Sequence, residues 1–172
     1  MKFSIPLPFL RSLLLATLVL LLLNSSTANA QNLAANRRLV MDWLKTLNQH
    51  DTNRLVHFYD EQVKLESPNW EGVLTGPAEA KTVYSRYFTS TPDLKNELTN
   101  VVLTDTCAVV EYTSSGTLLK NETGVPEYMR GKKYTIKNCT RMDIRNGKII
   151  HQVNYFDQVA FLRQMGFFDH HN

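Results

Sequence analysis

The chain has 172 residues, 43% of them hydrophobic, with 19 Lys and Arg against 16 Asp and Glu and a formal net charge of +3. That length supports one domain with a real core, and near-balanced charge without basic clusters argues against nucleic acid as the main partner. Only two cysteines are present, and no nucleophile motif, phosphate loop or zinc spacing occurs.

At the N-terminus, Lys2 and Arg11 precede an apolar run from Leu13 to Leu23, and Ala28-Asn29-Ala30 gives a small-x-small exit. This pattern predicts a cleavable signal peptide over residues 1–30, with the mature domain spanning 31–172 and beginning at Gln31. The alternative is a retained anchor, but the run is shorter than the ~20 apolar residues needed to cross a bilayer. Export to the periplasm or beyond the cell is the resulting expectation, with no membrane contact after cleavage. Without Lys2 and Arg11, 17 basic residues face 16 acidic ones.

Leu33 to Gln49 reads as an amphipathic helix, with Leu33, Val40, Leu44 and Leu47 on one stripe and Leu39 and Trp43 widening it. Asp51 is an N-cap for a second short helix ending near Tyr59, and Gln62 to Glu66 reads as a short strand. Gly76-Pro77 opens a third helix, whose inward stripe is Ala80, Val83, Tyr84, Tyr87 and Phe88, and Thr91-Pro92 stops it. The pattern then changes to strands over 94–103, 106–117, 131–145 and 148–156, followed by a short helix over Asp157 to Met165 with Gly166 as its C-cap. Helices first and an antiparallel meander after is an α+β order.

Asn146-Gly147 between two β runs predicts a two-residue type I′ hairpin. Carried along the strands, that turn puts Met142 opposite His151, Thr140 opposite Val153 and Asn138 opposite Tyr155, with Asp157 at the end of the same face. An exported protein is expected to oxidise its cysteines. A Cys107–Cys139 bridge would set Tyr112 opposite Tyr134 and Val110 opposite Ile136. Both registers turn Ala108, Val110, Tyr112, Tyr134, Ile136, Asn138, Thr140, Met142, Val153, Tyr155 and Asp157 inward.

With Trp43 … Leu47-Asn48-Gln49-His50-Asp51, Val109 to Thr117, Asn146-Gly147-Lys148-Ile149, Tyr155-Phe156-Asp157 and Leu162 to Gly166 in this order, the chain resembles the SnoaL-like branch of the nuclear transport factor 2-like superfamily. The resemblance covers nearly all of the mature chain. It implies a curved antiparallel sheet, a cone-like half-barrel wrapped on the helices, with a pocket between them; the expected export, away from the nucleotide cofactors of the cytoplasm, favours a pocket with no cofactor. It also implies a role for an aspartate before the last helix as general base in the polyketide cyclases, and Asp157 matches that position. The histidine that those cyclases place on the preceding strand has no counterpart, because Thr140 and Met142 stand there. The Arg-x-Asp of the epoxide hydrolases has only Arg141-Met142-Asp143 as a match, with both charges on the outer face. The superfamily includes enzymes and non-catalytic members alike.

Asp157 is therefore expected either as a proton-transfer base with a raised pKa or as the cap of the last helix. Tyr155 and Asn138 are the candidate groups that orient a carbonyl. Trp43, Tyr59, Trp70, Tyr87, Val110, Tyr112, Tyr134, Thr140 and Val153 are the candidate ligand-binding residues, with Trp70 foremost because it stands in a loop. Asp169-His170-His171 is read as a tail rather than a metal site. Asn121-Glu122-Thr123 and Asn138-Cys139-Thr140 match the glycosylation pattern, the second facing inward.

Two functions remain open from the sequence. One is cofactor-free proton transfer of isomerase or cyclase type on a small apolar carbonyl compound. The other is a non-catalytic domain that binds an apolar ligand or forms a homodimer through the outer sheet face.

Overall fold

The computed structural model describes residues 31–119 and 126–169. Residues 1–30, expected as a signal peptide, the Asn121 glycosylation pattern and the His170-His171 pair lie outside the described residues.

Helix α1 (31–48) buries Val40, Trp43, Leu44 and Leu47, as the stripe predicts, while Leu33 stays 38% exposed. Its first turns are held by polar contacts instead: Asn36 Nδ2 donates to the carbonyls of Thr104 and Asp105, at 3.0 and 2.9 Å. Helix α2 (Thr52–Leu55) is capped by Asp51, whose carboxylate accepts the Arg54 N–H. Strands β1 (Tyr59–Glu66) and β2 (Leu74–Thr75) flank the loop that carries Trp70. Helix α3 (Pro77–Ser90) begins with proline in its first turn, where no donor is needed.

Strands β3 (Lys95–Leu103), β4 (Cys107–Thr117), β5 (Lys133–Arg145) and β6 (Lys148–Phe156) form the antiparallel meander. Helix α4 (Gln158–Gln164) follows. The sheet has six strands in the order β2-β1-β6-β5-β4-β3, with β1 joining β6 in parallel. It curves without closing into a barrel, and the α+β class stands. No helix among the described residues is long and apolar enough to cross a membrane.

Asn146 and Gly147 both take positive φ, 53° and 70°, and the turn pairs Arg145 with Lys148 and Ile144 with Ile149 as expected. The register then slips by one residue. Ile150 is the extra residue of a β-bulge, so Asp143 faces His151, Met142 faces Gln152 and Thr140 faces Asn154. Because strand side chains alternate with period two, one residue exchanges the two faces of β6. Val153 and Tyr155 therefore turn to the outer face, and Gln152, Asn154 and Phe156 turn inward. Tyr155 is 54% exposed.

The expected Cys107–Cys139 bridge is also corrected. Both thiols are free, with Cys107 opposite Asp143 and Cys139 opposite Glu111. Four residues along a strand is roughly 13 Å, far beyond disulfide reach. The offset is even, so the inward set on β4 and β5 is unchanged. Ala108, Val110, Thr140 and Met142 are fully buried, around a core that includes Trp43, Leu55, Val63 and Ile149.

Candidate functional site

A cavity of about 530 Å³ lies between α3, the inner face of the sheet and α4. Its walls include Trp70, Tyr87, Phe88, Leu118, Met129, Tyr134, Ile136, Phe156, Phe161 and Leu162. The uncharged polar groups Tyr84, Asn96, Tyr112, Ser114, Asn138 and Asn154 also line it. The charged lining residues among those described, Glu79 and Arg86, sit on exposed positions of α3. A large apolar hollow with a few convergent polar groups is the usual form of a small-molecule site.

Each element supplies its part for a local reason. The α3 stripe points Tyr84, Tyr87 and Phe88 at the sheet, and their rings pack at centroid separations of 6.1 Å. Asn69 Nδ2 donates to the Tyr87 hydroxyl at 3.0 Å, tying the loop of Trp70 to α3. The Trp70 indole nitrogen is buried and has no hydrogen-bond acceptor among the described residues. On the α4 side, Phe161 meets Tyr134 edge-on at 5.3 Å and closes that wall.

Behind the cavity runs a buried hydrogen-bond chain. Trp43 Nε1 donates to the Tyr59 hydroxyl at 3.1 Å, and that hydroxyl donates to Gln152 Oε1 at 2.9 Å. Gln152 Nε2 donates to the Tyr84 hydroxyl at 2.8 Å and to Asn154 Oδ1 at 3.1 Å. Thr140 Oγ1 donates to Asn154 Oδ1 at 2.8 Å and lies 3.1 Å from the Tyr112 hydroxyl.

Burial pushes the hydroxyls of Tyr59, Tyr84 and Tyr112 above the ordinary tyrosine value, and so keeps them as neutral donors. An unfolded chain ionises its tyrosines near pH 10 while the folded protein holds these protons, so stability should fall as pH rises past that value. The expected slope is up to about 1.4 kcal/mol per pH unit for each such hydroxyl, until its folded value is reached. Urea unfolding on either side of pH ~10 measures it, and Tyr84→Phe should flatten the slope. Unchanged stability across that range would mean the hydroxyls ionise freely in the folded state.

Of the expected site residues, the cavity brings together Trp70, Tyr87, Tyr112, Tyr134 and Asn138. Trp43, Tyr59 and Val110 belong to the core behind it, and Thr140 is a fully buried link between Tyr112 and Asn154. Val153 and Tyr155 lie on the opposite face. Asp157 is exposed at the start of α4, where its carboxylate accepts the Ala160 N–H at 2.9 Å. The helix-cap alternative describes it, and the inward position is corrected. His151 also faces outward, bridging Glu66 and Asp143 at 2.7 and 3.3 Å.

Tyr84 was legible on the α3 stripe, but its contact with Gln152 and Asn154 was not, because the slip at Ile150 hides those two residues. Adjacent Ile149 and Ile150 break the alternation of β6 and are the trace this bulge leaves in the sequence. Among the described residues no group of three His, Cys, Asp or Glu is placed to hold a metal ion.

The SnoaL-like polyketide cyclase family model matches residues 38–165, and the chain belongs to that family. A putative polyketide cyclase from Xanthomonas campestris pv. campestris superposes with a TM-score of 0.67 at 21% identity, covering 78% of this chain and 98% of the other. A SnoaL-like polyketide cyclase from Agrobacterium tumefaciens gives 0.63 at 22% identity, over 74% and 95%. A putative hydroxylase from Streptomyces galilaeus gives 0.68 at 14%, over 78% and 98%. These likenesses establish a shared fold across differently described proteins. A comparison with curated proteins returns no match.

Proposed function

We propose that the protein binds a flat, apolar carbonyl compound of about two or three fused rings in its cavity. The carrying observation is the cavity itself, in which aromatic walls enclose a set of neutral hydroxyl and amide groups. Such groups can hold a carbonyl oxygen and spread charge that develops on it. Solved relatives described as putative polyketide cyclases support an oxygenated ring compound as the ligand class. Asp157 has no part in this reading as a base, because its carboxylate is engaged in capping α4.

Trp70 lines the cavity and makes the test direct. Titration with aromatic ketones should quench tryptophan fluorescence saturably, and Trp70→Phe should remove most of the quench while Trp43 still reports folding. A panel of such ketones with no saturable response up to about 1 mM would defeat the reading.

Export is proposed on the pattern of residues 1–30, and N-terminal sequencing of the protein from its host should begin at Gln31. Pairing of two copies through the outer face is supported by exposed Tyr155 and Val102, at 54% and 56%. Light scattering that gives a monomer mass at all concentrations would exclude it.

A further inference from the structure

Asn138 faces the cavity with its amide already oriented, and the orientation can be traced to backbone groups. The contacts begin at Asn48, the last residue of α1. Asn48 Oδ1 accepts the Asn96 backbone N–H and its Nδ2 donates to the Asn96 carbonyl, each at 2.8 Å. A backbone N–H can only donate and a carbonyl can only accept, so this amide has a single orientation. The side-chain nitrogen of Asn96 lies 3.3 Å from Asn48 Oδ1, which leaves Asn96 Oδ1 to accept the Ser114 hydroxyl at 2.6 Å. Turning Asn96 over would set oxygen against oxygen at Asn48. The short contact to Ser114 also has the length of an O–H···O bond rather than an N–H···O bond.

With the Ser114 proton held by Asn96, the Ser114 oxygen accepts from Asn138 Nδ2 at 2.9 Å. The same nitrogen reaches the Ile136 carbonyl at 3.3 Å, a second contact that an amide oxygen could not make. Asn138 is therefore fixed from two sides, independently of the tyrosines behind the cavity. What it turns to the cavity is Oδ1. That oxygen takes no hydrogen bond among the described residues, yet it is not sealed off, and the side chain lines the cavity.

We infer that Asn138 Oδ1 is a specificity determinant that accepts a hydroxyl proton from the ligand, so that the compound bound carries a phenolic O–H in addition to its carbonyl. The inference rests on the cavity being a ligand site, as proposed above, and names the ligand class more closely. Asn138 pairs with Tyr112 on β4 and Phe156 on β6, and Ile136 follows on the same face, all three lining the cavity. A charged donor would lose its hydration among these side chains, so a neutral hydroxyl fits and an ammonium group does not. A ligand carbonyl brought to the same point would meet oxygen with oxygen. Asn138 thus takes a hydroxyl rather than orienting the carbonyl, the role expected for it from the sequence. Ser114 and Asn48 act through it as positioning residues.

The test is calorimetric titration of the purified protein at neutral pH with β-naphthol, its methyl ether and β-acetonaphthone. The ether keeps the oxygen but has no proton to give, and the ketone reports on the ligand site itself. β-Naphthol should bind about three- to tenfold tighter than its methyl ether. Asn138→Leu removes the acceptor at nearly constant volume; it should bring the two within about twofold and leave the affinity for the ether unchanged. Ser114→Ala keeps Asn138 but removes one of the two contacts that hold its amide. The preference for naphthol should narrow to about twofold and acetonaphthone should gain, because the amide nitrogen can then turn to the cavity. This variant answers the same question should the leucine variant not fold. Equal affinities for naphthol and ether in the parent protein, or a preference that survives both substitutions, would overturn the role of Asn138 and leave the ligand site in place. A parent protein that binds none of the three compounds would instead overturn the ligand-site reading, and this inference with it.

Discussion

Trp43→Ala should cost about 3–5 kcal/mol of folding stability, enough to unfold much of a domain whose total is on the order of 5–15 kcal/mol. Trp43 is fully buried, meets Tyr112 edge-on at 6.2 Å, and supplies the first donor of the buried chain. Removing it leaves a large void and takes away the donor to the Tyr59 oxygen. Trp43→Phe separates the two effects, since it retains an aromatic ring but no N–H. It should lose less stability, the remaining loss reflecting the donor taken from the buried Tyr59 oxygen. Guanidinium unfolding gives the stability of both variants. A Trp43→Ala protein within about 1 kcal/mol of the parent would mean that this residue does not hold the core.

Gln152→Leu is the second substitution with a large expected effect, and it removes polarity at nearly constant volume. Gln152 is 1% exposed and accepts from Tyr59 while donating to Tyr84 and Asn154. Without it the buried Tyr59 and Tyr84 hydroxyls each lose a hydrogen-bond partner. Each buried group left unpaired costs about 1–3 kcal/mol, so a loss of roughly 2–5 kcal/mol is expected. The paired substitution Tyr59→Phe with Gln152→Leu should recover part of that loss, because the orphaned hydroxyl is gone as well. A double variant no more stable than Gln152→Leu alone would show that the Tyr59 proton was not the main cost.

Most elements were legible in the sequence because their determinants are local. Pro77 begins α3, Asp51 caps α2, and Asn146-Gly147 turns β5 into β6, each through a backbone requirement written within a few residues. The inner face of β4 and β5 came out correctly from a mistaken pairing of cysteines, since an offset of four residues preserves side-chain parity. The candidate site was less legible for the same geometric reason. A single inserted residue at Ile150 exchanges Val153, Tyr155 and Asp157 for Gln152, Asn154 and Phe156, and the paired Ile149 and Ile150 are the one local trace of it. Asp157 then follows its local preference and caps α4. Tyr84 of α3 meets Gln152 and Asn154 of β6, a contact that no spacing in the chain encodes.

The parallel union of β1 with β6 also bears on the order in which the molecule assembles. Glu66 lies beside Val153, half the chain length away, whereas β3 to β6 join neighbours through tight or moderate connections. The meander can gather from nearby segments, but β1 has only the two-residue β2 beside it until β6 is in place. Contacts so distant in sequence are slow to close, and an unpaired strand edge exposed meanwhile invites association with other chains. Aggregation during refolding should therefore start from the β1 edge, and a charged substitution at outward Gln62 should suppress it without altering the finished sheet.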